Sequence, residues 1–215
     1  MEGSITPLYE VKSDHRWVRH LQTMGVKKVG LWIPNYGGQD ELSRLLPGCS
    51  YPAPFRNFLV SYTGFCFKPV GMFCRDLDTK DFRLYSSVDH FNFYVAQQFD
   101  ARWPEFRYGD KLVLLEGVLD AEAFVYLTGY PWVMAYLKAN VGPHMAAVIA
   151  SMTDKVLVVP DKDAAGVKAF EKTKRGLSTF GVQVHYLDIE RKDFGVVLDK
   201  MDMLDVQRAK VALNF

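Results

Sequence analysis

The chain has 215 residues, 49% of them hydrophobic and 24% charged, a composition that supplies a sizeable core and excludes a disordered protein. Its 26 basic and 25 acidic side chains balance within each half, which excludes a basic tail or an all-over nucleic-acid coat and leaves only a local groove. Three cysteines (Cys49, Cys66 and Cys74) without a CxxC pair argue against a disulfide scaffold and a four-cysteine zinc ribbon, so no zinc is expected. No apolar run approaches the roughly 20 residues of a membrane helix, and residues 1–7 lack a signal-peptide pattern. A reduced, cytoplasmic protein without membrane association is the expectation.

In chain order, Ser13 is placed to cap a helix through Trp17, Val18, Leu21 and Met24, which Gly25 stops. Proline and glycine crowd residues 34–54, predicting loops around a short helix at 40–46. Residues 58–61, 64–68, 72–75 and 82–85 are aromatic-rich β runs separated by turn signals, which together predict a small antiparallel sheet. After Gly109 the period changes. Strands at 111–115, 132–137, 155–159 and 182–187 alternate with helices at about 120–127, 144–152 and 164–179. Because these strands are mostly apolar runs, the pattern predicts an α/β fold with a central parallel sheet flanked by helices. Two domains are expected: an α+β part at 1–108, of which 1–55 is mostly helix and loop, and an α/β part at 109–215 ending in a helical segment.

Ligands of open parallel sheets bind beyond the C-terminal strand ends. Glu116 closes the first of these strands, with Asp120 one helical turn on, and Asp161 and Asp163 follow the third. If those strands are neighbours, four carboxylates converge at one edge. Oxygen-only donors suit a hard ion such as Mg²⁺ or Mn²⁺, which stabilises the charge of phosphoryl transfer. Asp163 ahead of Ala164 also fits a plain helix cap, whereas Glu116 ending an apolar strand is costly unless partnered.

These residues resemble a family. Leu115-Glu116-Gly117-Val118-Leu119-Asp120, then Pro160-Asp161-Lys162-Asp163-Ala164-Ala165-Gly166, resemble the EGxxD and DxDxAG signatures of the TOPRIM domain. The DxDxAG form is that of the DnaG-like primases of bacteria and phages rather than of topoisomerases. Lys192-Asp193 resembles the primase KDPDE/KDANE segment. Upstream, Gly71-Met72-Phe73-Cys74-Arg75 and Phe82-Arg83-Leu84-Tyr85-Ser86-Ser87 resemble the family's GFGGR…KYLNS run, and Phe93-Tyr94-Val95-Ala96-Gln97 its LYGLxxA segment. The resemblance spans about residues 58–200. Gly195 stands where cellular primases carry a further Asp, and Arg83 and Ser86 replace the family's Lys and Asn.

The resemblance implies a TOPRIM domain preceded by a small α+β subdomain, and a primase core that makes short RNA primers on a single-stranded DNA template from NTPs. Asp161, Asp163 and Asp193 would hold Mg²⁺ or Mn²⁺ (two or more ions). Glu116 would be a general base or a metal-site acid, and Asp120 would orient the cluster. Arg75 and Arg83 would meet triphosphate or template phosphates, although Arg75 has a second reading as a strand-end pair with Asp76 or Asp78. Lys138 and Asn140, after the second strand, are weaker nucleotide or DNA contacts. Lys168, Lys172 and Arg175 form a basic stripe that reads first as a solvated helix face and second as a DNA contact. With neither zinc ribbon nor helicase-docking domain in the sequence, a replicative helicase or a separate zinc-ribbon or accessory chain is the expected partner. The competing readings are a TOPRIM nuclease and a non-catalytic subunit that binds DNA or a helicase.

Overall fold

The computed structural model describes residues 3–7, 10–27, 29–34, 58–63, 71–76, 82–86, 93–137 and 140–214. The chain divides into two compact units, Met1–Asn92 and Phe93–Phe215.

The first unit carries a five-stranded antiparallel sheet of β1 (Gly3–Pro7), β2 (Val29–Pro34), β3 (Phe58–Thr63), β4 (Gly71–Asp76) and β5 (Phe82–Ser86), ordered as in the sequence. Three of the strands were expected. β1 and β2 extend the sheet, and their short mixed runs (GSITP, VGLWIP) carry too little alternation to signal strands. Helix α1 (Arg16–Thr23) buries Val18 and Leu21 at helical spacing. Its cap is His15, whose side chain accepts from the Trp17 N–H, rather than Ser13, whose hydroxyl accepts from the His15 N–H one step earlier. The helix at 40–46 and the strand at 64–68 lie outside the described residues.

The second unit begins sixteen residues before the expected boundary at 108/109, because β6 (Tyr94–Val95) joins its sheet. That sheet runs β10-β9-β7-β8-β6, from β7 (Leu112–Leu115), β8 (Val133–Ala135), β9 (Lys155–Val158) and β10 (Gln183–Tyr186). β10, β9, β7 and β8 are mutually parallel, and β6 pairs antiparallel with β8 at the edge. The unit is thus α/β, with a mixed, mostly parallel sheet. The helices joining its strands are α3 (Val118–Thr128), α4 (Pro143–Met152) and α5 (Ala164–Ser178). The short α2 (Gln97–Ala101) follows β6, while α6 (Phe194–Lys200) and α7 (Met203–Leu213) end the chain.

Connectivity places the site. From β7 the chain steps through α3 to β8 on one side, then returns through α4 across β7 to β9 on the other. Right-handed crossovers in opposite directions put their helices on opposite faces, so both faces of β7 are covered. All four residues of β7 are buried, as are Val156, Leu157 and Val158 of β9. Each such aliphatic side chain contributes about 1.5–3 kcal/mol relative to exposure. The chain reverses direction at the β7/β9 boundary, the place beyond the strand ends where open α/β sheets bind their ligands.

Helix α3 is apolar nearly all round, with Val118, Leu119, Ala121, Ala123, Phe124 and Val125 buried, because it lies between the sheet and the terminal helices. The Phe124 and Phe194 rings, 4.7 Å apart, dock α6 onto it. Glu122, buried on the same helix, accepts from the Gln97 N–H at 2.8 Å and from the Tyr94 hydroxyl, tying the entry of the unit to its core.

Candidate functional site

Four of the predicted carboxylates share one electrostatic neighbourhood beyond the ends of β7 and β9. Glu116 directly follows β7, and Asp161 and Asp163 follow β9. Asp163 caps α5, its Oδ1 accepting from the Ala165 N–H at 3.0 Å and the Gly166 N–H at 2.9 Å. Asp193 caps α6 in the same way, accepting from the Val196 N–H at 2.8 Å. The cap reading of Asp163 therefore holds, and it commits one oxygen of each aspartate while the positive helix ends favour the carboxylates as anions.

The backbone brings the two aspartate loops together. The Lys162 N–H donates to the Lys192 carbonyl at 2.7 Å, and the Asp163 N–H to the Asp161 carbonyl at 2.9 Å. Gly166 allows this approach: a Cβ there would stand 2.0 Å from the Asp161 carbonyl oxygen, so only glycine fits the third position of α5. Gly117 needs no special backbone conformation. Its backbone is ordinary and extended (φ −112°, ψ 159°), and the space beside its Cα is taken instead by the Asp120 carboxylate, 2.6 Å from where a Cβ would sit.

Asp120 has a defined job. Its Oδ1 accepts from the Gly195 N–H at 2.8 Å, joining the first turn of α3 to the first turn of α6 and so locating Asp193. A Cβ on Gly195 would meet Leu119 at 3.2 Å and both Asp120 and Asp193 at 3.3 Å. The glycine that reads in sequence as a missing carboxylate is, in space, the close-packed contact between two site helices.

The loop carrying Asp193 is braced by a residue outside every predicted motif. Asp205 of α7 is wholly buried and accepts from the Glu190 and Arg191 N–H groups at 2.8 and 3.0 Å. Arg208 reaches Glu190 at 2.8 Å, and Arg191 pairs with Asp202 at 2.6 Å.

Electrostatics confirm the crowding. Burial first, then the charges of Glu116, Asp193 and Asp163, push the Asp161 carboxyl up to about 7, with Lys192 opposing. Among the described residues no hydrogen bond reaches the Asp161 carboxylate, and no group of three or more His, Cys, Asp or Glu side chains stands as a ready-made metal ligand set. The donors that could hold a hard cation are the Asp161 carboxylate, the second oxygens of Asp163 and Asp193, and Glu116. An excess of half-buried negative charge of this kind fits a divalent ion in its chemistry.

The basic residues are placed less tightly. Arg75 lies in the first unit with its guanidinium 4.4 Å over the Trp17 ring, a cation–π contact that the strand-end reading did not foresee. The β4–β5 register pairs Arg75 with Phe82 and Cys74 with Arg83, so the two arginines occupy positions of opposite parity in the pleat. Lys168, Lys172 and Arg175 are exposed on α5. Asn140 spends its amide on the Val141 carbonyl at 3.1 Å, and Lys138 lies outside the described residues. Among the described residues no helix is long and apolar enough to cross a membrane.

No protein-family profile and no curated protein sequence matches the chain. Solved structures do. The DnaG primase catalytic domain bound to single-stranded DNA aligns with a TM-score of 0.67 at 14% identity, over 95% of this chain and 74% of that one. The primase fragment of the bacteriophage T7 primase-helicase protein aligns at 0.60 and 17%, over 89% and 70%. The Aquifex aeolicus primase, with its zinc-binding and RNA polymerase domains, aligns at 0.67 and 15%, over 95% and 62%. At these identities the likeness is one of fold alone, and the fold resembles that of primase catalytic cores.

Proposed function

We propose that this chain is a TOPRIM-type DNA primase core that synthesises short RNA primers on single-stranded DNA by metal-dependent nucleotidyl transfer. The observation that carries the reading is Asp161, its carboxylate without a hydrogen-bond partner among the described residues and acted on by the charges of Glu116, Asp193 and Asp163, at the switch point of a primase-like fold. Asp161, Asp163 and Asp193 would hold Mg²⁺ or Mn²⁺, which when bound would supply positive charge to offset the negative charge developing on the transferring phosphate. Glu116 accepts the proton of the primer 3′-hydroxyl as its oxygen bonds the α-phosphorus and pyrophosphate leaves. Asp120 sets the position of Asp193 through Gly195. Arg75 and Arg83, and more weakly Lys138, Asn140, Lys168 and Lys172, serve phosphates of nucleotide or template.

One solved structure of this fold is described as bound to single-stranded DNA and another comes from a primase-helicase. They support a single-stranded template, and a replicative helicase or zinc-ribbon chain as partner. Asp161→Ala should abolish labelled-NTP incorporation on single-stranded DNA with the fold intact by circular dichroism. Unchanged incorporation refutes the assignment. The absence of a ready-made three-ligand set among the described residues favours, as second reading, a non-catalytic DNA-binding subunit, which would bind the template and yield no product in either protein.

A further inference from the structure

β8 ends beside Glu116. Its last residue, Ala135, pairs with Leu115, and the pairing continues one step beyond both strands, with the Tyr136 N–H donating to the Leu115 carbonyl at 3.0 Å and the Leu137 N–H to the Glu116 carbonyl at 3.1 Å. Leu137 then turns the chain away with a left-handed φ of 54°, unusual for a leucine and held by that second bond. Tyr136 and Glu116 are therefore cross-strand neighbours at the sheet's C-terminal edge, and alternation puts their side chains on one face.

The Tyr136 side chain is 2% exposed, and its hydroxyl has no hydrogen-bond partner among the described residues. After burial, the charges of Glu116, Asp161 and Asp120, in that order, act on the phenol, which places it in the electrostatic field of the carboxylates. A buried hydroxyl without a partner is costly, and buried phenols ordinarily find one. Here a donor lacking an acceptor sits beside acceptors crowded by one another.

We propose that Tyr136 is a positioning residue of the carboxylate site: its hydroxyl donates to Glu116 when a divalent cation is bound, fixing the carboxylate oxygen that faces the reacting groups. The inference rests on the metal-dependent reading of the site. It explains why a strand-end tyrosine keeps its hydroxyl in a place where phenylalanine would fit the burial alone. A cation drawing the carboxylates together gives the phenol its acceptor, and a hydrogen bond to a charged group is among the stronger kinds.

Tyr136→Phe removes only the oxygen, so the fold is retained. Mn²⁺ affinity, read by electron paramagnetic resonance of the free ion, should fall about tenfold in this variant. Without metal its melting temperature should equal or exceed the parent's, since the unpartnered hydroxyl is gone. A tyrosine near-ultraviolet difference signal that saturates with Mn²⁺ should appear in the parent and be lost in Tyr136→Phe. A merely structural tyrosine would lower the metal-free melting temperature and leave affinity unchanged, and that result overturns the proposal. Equal affinity in both proteins, with the parent binding, overturns this inference alone. A parent that binds no Mn²⁺ overturns both it and the metal-dependent reading.

Discussion

Asp161→Asn isolates the charge that the site has assembled. Burial and the neighbouring carboxylates raise this carboxyl from an ordinary 3.8 to about 7. A folded-state value above the unfolded one is a stability cost that is absent below about pH 4, grows between pH 4 and 7, and is complete above 7. Three units correspond to about 4 kcal/mol at face value, which solvent screening of this half-buried side chain reduces to ~2 kcal/mol. Without metal at pH 8, Asp161→Asn should therefore be about 2 kcal/mol more stable than the parent in urea unfolding, and the difference should vanish near pH 4. Mn²⁺ at about a hundred times its dissociation constant adds ~2.7 kcal/mol to a protein that binds it, so the order should reverse when the ion is added. The same linkage makes Mn²⁺ binding to the parent release more protons at pH 6 than at pH 8. An Asn variant no more stable than the parent at pH 8 in EDTA, or still the more stable in excess Mn²⁺, would refute the reasoning.

Three further variants probe the scaffold and the surface. Gly166→Ala forces a Cβ into the Asp161 carbonyl, 2.0 Å away, and should cost about 3 kcal/mol or more of stability in urea unfolding, with incorporation lost before the fold. Asp205→Ala leaves the Glu190 and Arg191 N–H groups without their acceptor; a loss of about 2–3 kcal/mol is expected, with faster hydrogen exchange at residues 188–193. Lys168→Glu with Lys172→Glu should reduce the salt dependence of single-stranded DNA binding by about 1.4 in slope if both lysines meet phosphate, at about 0.7 for each phosphate no longer neutralised. An unchanged slope returns the stripe to a plain solvated face.

The α/β half was legible in the sequence because burial on both faces of the sheet makes its strands near-continuous apolar runs, and Glu116 and Asp161 could be placed at strand ends from that alone. Strand order was not legible: nothing local in β7 or β9 says that they pair, and it is their pairing that brings the two carboxylates into one electrostatic field. Glycines were read by type rather than by neighbour. Gly117 has an extended backbone with Asp120 folded beside it, while Gly195 is a packing contact between α3 and α6, which no spacing reveals. Tyr136 and Asp205 were invisible for the same reason, since each acts through a partner on an element distant in sequence. β6 is two residues long, too short for any periodicity, and so the unit boundary was set sixteen residues late.

The most direct test of the account is the identity of the product. The protein is incubated with circular single-stranded DNA, labelled NTPs and Mg²⁺ or Mn²⁺, with and without a replicative helicase, and the products are resolved on a denaturing gel. Short labelled oligoribonucleotides that require both the metal and Asp161 are predicted. Cleaved DNA strands without extension, or template binding with no product under any of these conditions, would contradict it.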